Sequence, residues 1–184
     1  MRKDFFLEKS LAIIKEQNTC KLIIELAGEE GNEYQRAQRA KSILEQSLLC
    51  LFEKDPIRMA MISWGTNIGF RKQILDCRIS AKIMTNWIKG SFEDEVFDAQ
   101  RFKPDLIYYS HHIEISDALK IGNGIINNEL GVDPYIHANV YFMAFNDRPF
   151  LINLFDDRYF ELICKAEFED YLKEKLIQES ILFS

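Results

Sequence analysis

The chain has no Cys-x-x-Cys pair, only three histidines, and no stretch of uninterrupted apolar residues long enough to cross a bilayer. Each absence excludes something. The four cysteines, Cys20, Cys50, Cys77 and Cys164, stand alone among apolar neighbours. That spacing argues against a disulfide framework or a zinc finger and favours reduced thiols packed as small hydrophobes. A spanning helix needs about 18 or more consecutive apolar residues. The N-terminal "MRKDFFLEKSLAIIKEQ" opens with basic residues, but Asp4, Glu8 and Lys9 break any signal-peptide core. A cytoplasmic protein is expected.

Positive charge is also in short supply. Lys and Arg total 23 against 29 Asp and Glu, giving a net charge of −6 and a sequence pI near 5.2. Binding bare nucleic acid needs clustered cations to displace counterions, so this balance opposes it. A basic protein partner is favoured instead, because complementary charge steers the encounter. The cluster Glu93, Asp94, Glu95 and Asp98 in "FEDEVFD" is the candidate partner-binding patch.

The familiar phosphate and nucleophile signatures are missing as well. "GNGIINNELG" offers Gly122 and Gly124 but no third glycine in dinucleotide register and no Gly-Lys-Ser/Thr. No nucleophile elbow exists for a Ser-His-Asp site. "PDLIYYSHHIEIS" has Pro104, Asp105 and Glu114 of a nuclease core, but Ser116 occupies the position of its lysine. No cofactor and no catalytic residue are implied.

Large rings are abundant: fourteen Phe and seven Tyr within a chain that is 47% hydrophobic and 184 residues long. That is enough for one domain, residues 1–184, with a full core. Apolar spacing predicts a helix over 5–17, a strand over 19–26, and a long helix capped by Asn32 with Gln35 as its capping-box partner. Tyr34, Ala37, Leu44, Leu48 and Leu51 form that helix's apolar stripe, and Pro56 ends it. Strands are predicted over 57–64, near 74–79 and over 105–115, with a short helix near 80–88. A helix over 116–131 starts at a Ser116 cap and stops at Gly131, with Gly122 and Gly124 weakening it internally. "YIHANVYFMAF", "FLINLF" and "YFELIC" read as three antiparallel strands, and a final helix runs over 165–182. The fold class is α+β: a mainly antiparallel sheet with helices at both termini packed on one face.

Two clusters remain as candidate chemistry. In "SHHIE", His112 and Glu114 share one face of a strand, and with His137 they would form the ligand set of a metal-dependent hydrolase, with Asp157 nearby. In "FLINLFDDRYFELICK", Asp156 and Asp157 are either working carboxylates or a turn. The turn reading is stronger, because adjacent side chains diverge, Asp bonds nearby backbone N–H groups, and Arg158 can neutralise one carboxylate.

"VYFMAFNDRPFLINLFDDRYFELI", 140–163, resembles the C-terminal part of an uncharacterised bacterial domain family with a strand, a Tyr-Asp-Asp-Arg-Gly turn and a return strand. "KLIIELAGEEGNEYQRAQRAKSILEQSLLCLFEKD", 21–55, resembles its N-terminal strand, loop and long helix. Phe155 and Tyr159 stand where that family has Tyr and Gly. The resemblance implies a fold and transfers no catalytic residue. In size, acidity and general character the chain is also similar to the immunity proteins of contact-dependent growth inhibition and related toxin systems. That similarity implies a protein that binds a basic toxin domain, such as a nuclease, and occludes its active site.

Overall fold

The computed structural model describes residues 18–26, 31–53, 55–63, 80–82, 106–132, 135–144, 148–154, 156–179 and 181. The expected helix over 5–17, the expected strand near 74–79 and the acidic patch Glu93, Asp94, Glu95 and Asp98 lie outside them.

Among the described residues the elements run β1 (Thr19–Glu25), α1 (Glu33–Phe52), β2 (Ile57–Ser63), β3 (Ser80–Lys82), β4 (Leu106–Ile113), α2 (Ile115–Glu129), β5 (Ala138–Ala144), β6 (Phe150–Leu154), β7 (Tyr159–Lys165), a single 3-10 turn (Ala166–Phe168) and α3 (Glu169–Gln178). The strands make one seven-stranded sheet in the order β1-β7-β6-β5-β2-β4-β3, with every neighbouring pair antiparallel. The fold is α+β, as the sequence pattern requires.

Helix α1 begins where its cap dictates. The Asn32 side chain accepts from the Gln35 N–H at 2.9 Å, and the Gln35 side chain returns a bond to the Asn32 N–H at 3.2 Å. It ends at Glu53, whose φ of 45° cannot continue a right-handed helix. Ala37, Leu44, Leu48 and Leu51 are buried, but Tyr34 is 72% exposed, a correction to its place on the stripe. Tyr34 lies in the first turn of the helix.

Helix α2 corrects two further expectations. Its N-cap is Glu114 and makes no side-chain cap bond, so Ser116 falls inside the first turn. Its glycines are sites of close approach. A Cβ on Gly122 would stand 2.5 Å from Leu44 Cδ2 of α1, and one on Gly124 would stand 2.7 Å from Ile136. Ile136 also donates its N–H to the Gly124 carbonyl at 2.8 Å. Missing side chains let α2 sit against α1 and the approach to β5, a tertiary gain that offsets the local loss of helix propensity. The expected helix near 80–88 is contradicted at its start, where residues 80–82 pair with β4 as a strand. The final helix begins later than expected, because a 3-10 turn occupies residues 166–168.

Alternation along the strands sorts the core. Ile24, Met59, Phe142, Ile152, Phe160 and Leu162 share one face, and they form a single cluster with Leu44 and Leu48 of α1, Ile121 and Ile125 of α2, and Leu172 and Leu176 of α3. The buried residues of the described helices thus join one cluster with this set of strand side chains. The opposite face is closed at its centre too: Tyr141, Met143, Leu151 and Asn153 are buried. Strands β5 and β6 are thus covered on both sides, which explains why "FLINL" does not alternate between apolar and polar residues: all five are buried, Asn153 included.

Candidate functional site

The corner between β6 and β7 gathers two carboxylates and two arginines. Asp156 Oδ1 accepts the backbone N–H of Arg158 at 2.9 Å and that of Tyr159 at 3.4 Å. Its Oδ2 accepts the Arg158 Nε at 2.9 Å. This is an Asx-type turn, in which a short acidic side chain replaces backbone partners. The carboxylate in turn raises the Arg158 guanidinium above its ordinary range, through hydrogen bonding first and charge second.

Asp157 points elsewhere, toward α1, where Arg36 Nη2 reaches its Oδ2 at 3.3 Å. The Arg158 carbonyl accepts the Leu26 N–H at 2.7 Å and ties the end of β1 to the same corner. The two carboxylates therefore diverge, as adjacent turn residues do, and each carries its own arginine. Both are only 4% exposed, which the turn reading did not anticipate. No acid–base pair is built here. The corner is a joint between α1, β1 and the β6–β7 hairpin. Tyr159 is the first residue of β7 and does not have a positive φ.

The histidine cluster is divided by the sheet register. His112 Nε2 lies 2.9 Å from Glu114 Oε1, and both side chains are exposed. They sit at the end of β4 that pairs near Ile57. His137 immediately precedes Ala138, whose partner is Ser63 at the other end of β2. At about 3.4 Å per residue, the six steps from Ile57 to Ser63 separate the two ends by roughly 20 Å. The structure brings His112 and Glu114 together and leaves His137 outside coordination distance. Asp157 is engaged by Arg36. Among the described residues, no three His, Cys, Asp or Glu side chains converge in a way that could hold a metal ion.

A polar row across the second face of the sheet is the feature sequence reasoning missed. Tyr141, Asn153 and Glu161 are register partners on β5, β6 and β7. Asn153 Nδ2 donates to Glu161 Oε2 at 3.1 Å, and Lys21 of β1 donates to Glu161 Oε1 at 2.8 Å. Burial pushes the Tyr141 phenol well above its ordinary range, and Glu161 adds to the shift. The signal was present: Tyr141, Asn153 and Glu161 fall at the same alternation in "NVYFMA", "FLINLF" and "YFELIC". Chemically the row holds a neutral phenol, an amide and a carboxylate paired with lysine. It can accept and donate hydrogen bonds but offers no activated nucleophile.

No protein-family model, no curated protein and no solved structure matches the chain. Among the described residues, no helix is long and apolar enough to cross a membrane.

Proposed function

We propose that the chain is an acidic binding protein of the immunity kind, which docks on a basic toxin domain in the cytoplasm and covers its active site. The observation that carries this reading is an acidic stripe on the C-terminal helical segment. Glu167, Asp170 and Glu174 recur at three- and four-residue spacing, and all three are exposed. The lysines of that segment are directed into neighbouring ion pairs, Lys173 with Glu169 at 2.6 Å and Lys175 with Glu53. The stripe therefore presents three exposed carboxylates, with Lys173 the cation beside Asp170, within a chain of net charge −6. Glu93, Asp94, Glu95 and Asp98 would extend the same character. Supporting it further, the carboxylates best placed for catalysis, Asp156 and Asp157, are each occupied by an arginine.

The test uses the gene immediately upstream, where the toxin of such a pair is encoded. The purified product is mixed with this chain, and both complex formation and loss of toxin activity are measured. A stable complex that silences the toxin is expected, and reversing Glu167, Asp170 and Glu174 to Lys weakens it at least tenfold. An upstream product that neither binds nor is inhibited, together with stoichiometric metal in the purified protein, overturns the reading.

A further inference from the structure

Cys20 and Cys164 are 144 positions apart in sequence and directly opposite one another in the β1–β7 ladder. Both side chains are on the core-facing side, Cys164 fully buried and Cys20 half-buried, and their sulfurs lie 3.1 Å apart. Directly opposed residues of an antiparallel pair have Cα atoms roughly 4.5–5.5 Å apart, which falls within the range of roughly 4.4–6.8 Å that a disulfide requires. The pairing itself therefore places them within reach of a bond. Glu169 and Lys173 of α3 stand beside Cys20 at the open side of the pair.

We propose that Cys20 and Cys164 are a modification site: a reversible disulfide, formed by a hydroperoxide, that fastens edge strand β1 to β7. Cys20 reacts first because it alone meets solvent. Its thiolate sulfur attacks a peroxide oxygen, the O–O bond breaks, and the departing hydroxide takes up a proton as water. Cys20 is left as a sulfenic acid. The Cys164 sulfur then attacks the Cys20 sulfur, the S–O bond breaks, and the leaving hydroxide departs as a second water with the Cys164 thiol proton. Two thiols have lost two electrons and the peroxide has gained them. Burial, with a hydrogen bond from the Cys164 thiol to Cys20, pushes the Cys164 thiol up to about 12, so it stays protonated until the neighbouring sulfur becomes electrophilic.

The experiment treats the folded protein with hydrogen peroxide, blocks remaining thiols under denaturing conditions, and maps tryptic peptides by mass. The expected product joins EQNTCK (16–21) to YFELICK (159–165), with loss of two hydrogen atoms. It forms equally in Cys50→Ser and is absent from Cys20→Ser. The oxidised protein melts higher by roughly 10 °C, because the bond closes a very long loop in the unfolded chain, and dithiothreitol reverses the rise. Oxidation of Cys20 to sulfinic acid without a cross-link, or a cross-link through Cys50 or Cys77, overturns the proposal. The wild-type map decides the matter even if a variant fails to fold.

Discussion

Asp157 is a buried carboxylate whose cation arrives from α1, and removing that cation leaves a charge in a poorly solvated place. Arg36→Met is therefore expected to lower stability by about 1–3 kcal/mol, less than for a fully buried pair because Arg36 is only partly covered. Adding Asp157→Asn should recover part of the loss, so the two substitutions combine to less than their sum in urea unfolding. Full additivity would show that the pair does not couple. The Asp-Asp-Arg triplet was legible as a turn because turn chemistry is local. Its burial was not, because Arg36 is 121 positions away in sequence. Tyr141 gives a second residue-scale expectation. Its phenol titrates near 10 in the unfolded chain and higher in the fold. Its contribution is thus complete below pH 10 and is lost as pH climbs toward the folded value. Stability measured across that alkaline range should fall less steeply in Tyr141→Phe than in the parent protein.

At the level of elements, the α1–α2 contact rests on the missing side chain at Gly122. Gly122→Ala gains about 1 kcal/mol of helix propensity but drives a methyl into Leu44, an overpacking that costs about 1–3 kcal/mol. A net fall in melting temperature is expected, and Leu44→Ala in the same chain should relieve the clash, although it leaves its own cavity. A Gly122→Ala protein that melts higher than the parent would show that the helices have room to part. The start and end of α1 could be read from Asn32, Gln35 and Pro56, since capping is written within a few residues. The purpose of the glycines could not, because it depends on what α2 meets across the core. The same reason moves the α2 cap from Ser116 to Glu114: β4 runs to Ile113 and holds Glu114 in the extended conformation that a cap needs.

For the molecule as a whole, the consecutive hairpins β5-β6-β7 followed from short connections, whereas the placement of β1, β2 and β4 did not. Nothing local tells a strand at residue 19 to pair with one at residue 165, or β2 to insert between β5 and β4. The same non-local order separates His112 from His137, so the metal reading of "SHHIE" could not be judged before the register was known. Net charge is a property at this scale, and under the proposed binding function it would steer the encounter with a basic partner. Under that proposal, association with an upstream-encoded toxin should slow about tenfold or more between low and high salt, while dissociation changes far less, in stopped-flow mixing. An association rate indifferent to salt would mean that apolar contact alone guides docking. The β1–β7 pairing carries one more consequence. As the ribosome makes this chain, the first strand of the sheet emerges long before the last, and its only described strand neighbour is that last one. Until β7 has been made, β1 must stay unzipped, and a nascent product that stops short of β7 would trail an adhesive ribbon for chaperones to hold.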